Sequence, residues 1–433
     1  MSALNRARRE YRATQIEASP ESLSATLPAF AAFGIELEYM IVARDTLDVR
    51  PIADRLLTLL AGRPVAAVDR GPLGWSNELV AHVIELKNVL PTPALDQLAG
   101  RFQAEIETVN RTLDMIGARL LPTGMHPWMD PATETTLWQA EGRAIYAMYD
   151  RIFDCRRHGW ANLQSMHINL PFAGDEQFAR LHAAIRLVLP LIPALAASTP
   201  IADGRQTPAL DYRLEVYRTN VTNVPALIGD VIPDALSSRA EYDHRVFAPM
   251  YAQIAPFDPE GVLQHEWLNS RAAIPRFDRN AIEIRLADAQ ECPRADIAIA
   301  AATIGAVRAL YDERFTERAQ QAAIPTATLH ALLLRTIRDA ERALIDEPAL
   351  LTAFGIRERQ CTAGDVWAHI VGATDDGADD ARAWWRPALE TILGRGTLAR
   401  RILAAVGGDF RREHLRAVYG ELAHCLAEGR MLV

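Results

Sequence analysis

Glu36 and Glu38 alternate along Phe33-Gly34-Ile35-Glu36-Leu37-Glu38-Tyr39-Met40-Ile41-Val42, a stretch with the period of a β-strand. Side chains two apart share a strand face, so the carboxylates lie together and Ile35, Leu37, Tyr39 and Ile41 form an apolar face opposite. Two adjacent carboxylates repel unless water, a proton or a cation separates them. A hard divalent cation suits such a pair, because it takes oxygen ligands and completes its shell with substrate phosphates. A half-exposed strand with two solvated acids is the plain alternative.

The pattern recurs at three distant places. Leu79 to Asn88 reads as a strand stopped by Pro91 and Pro93, with Glu85 among apolar neighbours, as a metal ligand or paired with Lys87 on its own face. In Leu163 to Leu170, Ser165, His167 and Asn169 share one face against Met166, Ile168 and Leu170. The imidazole offers a further ligand or a phosphate contact, or simply a hydrogen-bonded side chain. In Ala281 to Asp288, Glu283 and Arg285 share a face against Ile282, Ile284 and Leu286. They suit either a same-face ion pair or a metal-bound carboxylate beside a guanidinium that grips a phosphate or carboxylate through two hydrogen bonds. Converging on one cavity, these groups equip it for phosphoryl transfer, where positioning and electrostatics do most of the catalysis.

At these residues the chain resembles the glutamate–cysteine ligase family 2, within the wider glutamine synthetase superfamily. The family's G-x-E-x-E is similar to Gly34-Ile35-Glu36-Leu37-Glu38, and its E-L/I-K-T-x-P to Glu85-Leu86-Lys87-Asn88-Val89-Leu90-Pro91. Gly124-Met125-His126-Pro127-Trp128 resembles G-T-H-P-F, and Ala196 to Thr207 resembles S-A-S-S-P-x-x-x-G-x-D-T. Tyr212-Arg213, Trp267 to Arg271, and Ile282-Glu283-Ile284-Arg285 with Asp288-Ala289-Gln290 follow in the family's order. The match runs from about residue 33 to about residue 300, and more loosely through Gly396 to Leu403. The departures are Met166-His167-Ile168-Asn169-Leu170, which lacks one histidine and a glycine of H-V-H-V-G, and Gln206 and Pro208 in place of the aspartate and final glycine of D-T-G.

The resemblance implies an α+β fold whose curved, mostly antiparallel sheet lines the active site, with helices on its outer face. It implies an ATP-dependent ligase that joins a carboxylate, glutamate foremost, to an amine through an acyl phosphate. The metal candidates are Glu36, Glu38, Glu85, His167 and Glu283, with Mg²⁺ as the ion and Mn²⁺ as an alternative. Arg285 is the candidate for stabilising the transferring phosphate, with Glu85 and Arg213 also assigned to the catalytic set. Arg271 and His167 join Arg285 as candidate contacts for ATP, while a surface ion pair is the equal alternative for Arg213 and Arg271. The rival readings are a kinase of an amino acid or guanidino compound, and a catalytically silent binding or regulatory homologue.

The chain has 433 residues, 49% of them hydrophobic, enough for a large core. A formal net charge of -9 and the absence of basic–aromatic runs speak against nucleic acid. Cys155, Cys292, Cys361 and Cys425 lack zinc spacing and read as reduced, mostly buried thiols. Met1 to Arg12 is polar and basic without the apolar core of a signal peptide, and Leu187 to Ala197 is too short to span a bilayer. A cytoplasmic protein with small-molecule substrates is expected, as a homo-oligomer, with a dimer as the expected form. Helical periodicity marks Ala94 to Ala118, Asp175 to Ala197 (broken or ended by its prolines) and Arg294 to Glu317. Residues 1–320 read as the catalytic core and 321–433 as a helical region packed on it, interrupted by a loop at Gly372 to Asp380. The loops Asp203 to Pro208 and Arg218 to Pro233 are expected as pocket walls or lids.

Overall fold

Alternating strands with one apolar face must bury that face, and here they do so in a single sheet covered by helices. The computed structural model describes residues 26–374 and 384–433. Ten strands position the site: β1 Gly34–Ala43, β2 Ala67–Asp69, β3 Leu73–Asn77, β4 Val83–Asn88, β5 Ala118–Leu121, β6 Ser165–Pro171, the small hairpin of β7 Ile201–Ala202 and β8 Arg205–Gln206, β9 Ala273–Arg276, and β10 Ala281–Asp288. Eight of them form the main sheet in the order β2-β3-β4-β1-β6-β10-β9, with β5 also paired to β1, and every pairing is antiparallel. Pro275, which cannot donate to a ladder, sits on the edge strand β9.

Ile35, Leu37, Tyr39 and Ile41 of β1 are fully buried, together with Ile84 and Leu86 of β4, Met166, Ile168 and Leu170 of β6, and Ile282, Ile284 and Leu286 of β10. These side chains share one core with the helices Leu98–Asp114, Gly174–Val188 and Pro293–Tyr311. The first helix begins four residues later than its periodicity suggests, and still buries Leu98, Phe102, Ile106, Val109 and Leu113. The second ends at Val188; a 3-10 turn at Leu189–Leu191 and a short helix Pro193–Ala196 follow, each starting at or next to a proline. The third stops at Tyr311, shortly before Glu313 takes a left-handed φ of 57°.

Beyond residue 322 the described residues are mainly helical, with one pair of two-residue strands at Leu344–Ile345 and Cys361–Thr362. Gly372 lies inside the helix Ala363–Thr374, so the loop expected from that position does not start there; its remainder, and Met1 to Arg12, lie outside the described residues. Helices Leu398–Val406 and Arg412–Glu428 close a second core over Met40 and Val42 of β1 and Leu121 of β5. Among the described residues no helix is long and apolar enough to cross a membrane.

Two histidines are locked neutral in this packing. His126 places Nε2 2.8 Å from Leu47 O, while Nδ1 accepts from Trp128 N at 3.2 Å, and His82 Nε2 donates to Ala161 O. Burial pushes them down to about 3 and about 4, from 6.5. In the unfolded chain both take up protons near pH 6.5, and in the folded chain only far below it. Their contribution to stability is therefore complete above pH 6.5 and is lost as pH falls toward 4, at about 2 kcal/mol each by pH 5. Urea unfolding from pH 7 to 5 reads this loss, and His126→Gln flattens the slope by close to one proton. An unchanged slope in that variant would remove His126 from the account.

Candidate active site

Strand register sets the cleft. Across β1 and β4, Glu36 faces Lys87 and Glu38 faces Glu85; across β1 and β6, Glu36 faces His167; across β6 and β10, Asn169 faces Glu283. One face of four adjacent strands therefore carries acids on β4 and β1, an imidazole on β6, and Glu283 with Arg285 on β10. Arg276 of β9 and Arg279 of the following turn extend the basic side. Gly34 allows the close pairing of β1 with β6, since a Cβ there would lie 2.9 Å from Asn169 Cβ.

His167 sits at the centre. Its Nδ1 is 3.1 Å from Glu36 Oε2 and 3.7 Å from Glu283 Oε1, and its Nε2 is 3.9 Å from Glu38 Oε1 and 2.9 Å from Ser165 Oγ. Ser165 donates to Glu38 Oε2 from its backbone N at 2.7 Å and from Oγ at 3.0 Å, and Asn169 Nδ2 donates to Glu36 Oε1 at 3.1 Å. Glu85 pairs with Lys87, as the plain reading of that strand has it, and accepts from Ser76 Oγ at 2.6 Å. Even so, Glu36, Glu85 and His167 each present a ligand atom within 4.8 Å of the others, the spacing that one cation would draw together.

Arg285 lies inside a β-bulge: the register of β10 on β6 slips between Ile284 and Ala287. A bulge re-aims a side chain. The Arg285 guanidinium lies 2.5 Å from Glu283 Oε1 and keeps a partly exposed side in the cleft, while Arg276 Nη1 lies 3.6 Å from Glu283 Oε2.

Crowding and burial set the electrostatics of the acids. Burial pushes Glu85 up to about 7, with the neighbouring Glu36 adding to the shift. Glu78 is held well above the carboxylate range by burial and then by Glu38 and Glu85. Burial also works against Glu36, yet the His167 hydrogen bond and the charges of Lys87 and His167 hold it well below that range. For His167 burial opposes charge, and the Glu36 hydrogen bond and Glu38 charge overcome it and raise the imidazole. A divalent cation would displace that proton and let all the acids ionise together.

Of the residues singled out in the sequence, Glu36, Glu38, Glu85, His167, Glu283, Arg285 and Arg213 line one cleft of about 300 Å³. Arg271 does not. Its Nη1 is directed at Ala226 O, Leu227 O and Asn269 Oδ1, so it braces the loop after Arg218 and stands outside the cleft lining, which corrects its assignment to ATP. Residues Asp203 to Pro208 also stand outside the lining, so Gln206 and Pro208 do not touch the cleft; the loop after Arg218 contributes Asn220. Arg213 has two duties. It lines the cleft and is 3% exposed, with Nε 2.5 Å from Asp288 Oδ1 and Nη2 donating to Leu286 O.

Asp288 also accepts from Ser198 N, Ser198 Oγ and Thr199 Oγ1, so three separate sequence motifs meet at one carboxylate. A Cβ on Gly124 would lie 2.8 Å from both Asp288 Cγ and Thr199 Cγ2, which explains the glycine there.

Sequence reasoning missed Glu78, Arg276, Arg279 and, in the aromatic wall, Tyr146 and Trp160, and it read Trp267 only as part of a family motif. The available signal for Glu78 was Asn77-Glu78 at the very end of β3, the neighbour of β4. For Arg276 it was a basic residue alternating with Ile274 one turn before β10.

An acid-lined antiparallel sheet with a basic end suits a site for phosphoryl transfer. Residues 32–421 match the profile of the glutamate–cysteine ligase family 2, and the chain belongs to that family. An uncharacterised protein of Archaeoglobus fulgidus is 31% identical over 376 residues, 87% of this chain and 93% of the relative. The fold is similar to that of glutamate–cysteine ligase from Francisella tularensis in complex with AMP, with TM-score 0.58 and 12% identity over 93% of this chain and 90% of that one. It is also similar to a bifunctional glutathione synthetase from Pasteurella multocida, with TM-score 0.53 and 14% identity. The alignment covers 91% of this chain and only 52% of that one, about half its length.

Proposed function

We propose that the cleft activates a carboxylate, glutamate foremost, with ATP and Mg²⁺ and passes the acyl group to an amine. The observation that carries this reading is the gathering of Glu36, Glu38, Glu85, His167, Glu283 and Arg285 from four strands onto one cleft. When bound, Mg²⁺ supplies Lewis acidity and charge neutralisation to the phosphates.

Glu36, Glu85 and His167 hold the cation, with Glu38 and Glu78 adding charge beside it. Arg276, Arg279 and Arg285 form the anion-binding end, two strands away from the acids of β1. Arg285 donates to the phosphoryl oxygens as a substrate carboxylate oxygen bonds to the γ-phosphorus and the bond to the β–γ bridging oxygen breaks, releasing ADP. The amine nitrogen then bonds to the acyl carbon, phosphate leaves with the C–O electron pair, and the amine gives up a proton. Trp160, Trp267 and Leu79 limit water at the reacting end.

The test incubates the protein with ATP, Mg²⁺, glutamate and a panel of amino acids and amines, measuring ADP release and product mass. ADP release that requires both glutamate and an amine, with an amide product, is expected. A phosphorylated product formed without amine would replace the ligase by a kinase, and no nucleotide turnover with any pair would leave a silent homologue.

Glu85→Gln separates metal binding from folding. Because Glu85 is buried and pushed up to about 7, its neutral isostere costs the metal-free protein little, so the Tm in EDTA stays or rises. The Tm gain on adding Mg²⁺ is lost, and turnover falls by more than ~100-fold, beyond the usual loss from an outer-sphere change. A full Mg²⁺-dependent Tm gain in this variant would take Glu85 out of the cation site.

A further inference from the structure

Lys87 is the only lysine in the chain; the other 45 of its 46 lysine and arginine residues are arginine. That single ammonium lines the catalytic cleft. Guanidinium groups serve elsewhere in the cleft, where Arg285 pairs with Glu283 and Arg213 with Asp288. The ammonium stands among the acids instead, on β4 and directly across the ladder from Glu36 of β1.

Its surroundings are those of a small cation. Lys87 Nζ donates to Glu85 Oε2, which also accepts from Ser76 Oγ, and the charges of Glu36 and Glu78 lie close by. The side chain is 14% exposed, so its head sits among carboxylates with little water around it. Glu36 and Glu85 are also two of the three residues whose ligand atoms gather within 4.8 Å, His167 being the third. A divalent cation on those atoms would come within a few ångströms of the ammonium on the same carboxylate, and like charges that close repel. The ammonium and the cation therefore compete for one place.

Lysine suits such an exchange and arginine does not. An ammonium is a compact point charge on a flexible four-carbon stem, free to swing away when displaced. A guanidinium would grip Glu85 through two parallel hydrogen bonds and hold it. A chain that uses arginine at 45 other positions keeps its one ammonium where the positive charge has to be exchanged.

We propose that Lys87 is the resident counter-ion of the cation site: it holds Glu85 and Glu36 together in the metal-free protein and swings into the cleft when a divalent cation takes Glu36, Glu85 and His167. The proposal rests on the reading of the cleft as a divalent-cation site.

With one lysine in the chain, acetylation by an N-hydroxysuccinimide ester, read by peptide mass spectrometry at Lys87, follows the ammonium directly. At matched ionic strength, saturating Mg²⁺ speeds this acetylation about fivefold or more over EDTA, since an amine released from its ion pair is open to the reagent. Calorimetric titration of the full chain with Mg²⁺ gives the affinities. Lys87→Met binds Mg²⁺ about tenfold tighter than the wild type, and Lys87→Arg about tenfold more weakly.

Equal or weaker binding by Lys87→Met would make the ammonium a brace for Glu85 and overturns the proposal, as does Lys87→Arg binding as tightly as the wild type. Where a variant fails to fold, the acetylation rates of the wild-type chain decide. Mg²⁺ binding with an unchanged acetylation rate leaves a fixed charge and overturns this proposal alone. No Mg²⁺ binding by any of the three proteins overturns the cation reading of the cleft with it.

Discussion

Arg285→Met lowers the ATP-dependent turnover number by about 10³-fold, at the lower end of what a phosphoryl-stabilising arginine contributes. The residue lies in a bulge that turns its guanidinium into the cleft, and burial is outweighed by Glu283 so that the group stays charged throughout the accessible pH range. Arg285→Lys regains less than a tenth of the loss, because an ammonium cannot present two parallel donors to one phosphoryl group. Substrate KM changes far less than kcat if the guanidinium acts mainly in the transition state. Steady-state kinetics on the three proteins decide the point, and a lysine variant with full activity would reduce Arg285 to a point charge.

Asp288→Asn is expected to cost about 3–5 kcal/mol of unfolding free energy. Asp288 is fully buried and is the carboxylate partner of Arg213, which is itself nearly fully buried. The amide keeps some of the hydrogen bonds from Ser198 and Thr199, but takes from the buried guanidinium its hydrogen-bonded carboxylate and leaves it only the nearby charge of Asp211. The double variant Asp288→Asn with Arg213→Met recovers part of that stability, since it removes the stranded charge as well. Denaturant unfolding measures both. Activity stays low in the double variant because Arg213 also faces the cleft, so stability and turnover separate.

Four strands, β1, β4, β6 and β10, were legible because each alternates with one apolar face, as in Ile282, Ile284 and Leu286 against Glu283 and Arg285. The acids, His167 and Arg285 were legible for the same reason: period two puts them on the face the core does not use. Arg271 was not, because a guanidinium that caps backbone carbonyls has the same sequence signature as one that meets a phosphate. Glu78 sits just past β3, where alternation stops, so only its contact with the neighbouring strand reveals it. The hairpin at Asp203 to Pro208 carries recognisable family residues, yet its place off the cleft depends on tertiary packing that no local pattern encodes.

β1 pairs with β4 and β5 from its own end of the chain, but also with β6, whose partner β10 is over a hundred residues further along. During synthesis, the Gly34–Leu37 part of one edge of this central strand stays bare until residue 171 has emerged, and the wall bearing Glu283 and Arg285 forms only after residue 288. Assembly of the sheet thus waits on pairings far apart in sequence, which slows it. Truncations in the middle of the chain leave a sticky, unfinished β-edge in place of a smaller working enzyme.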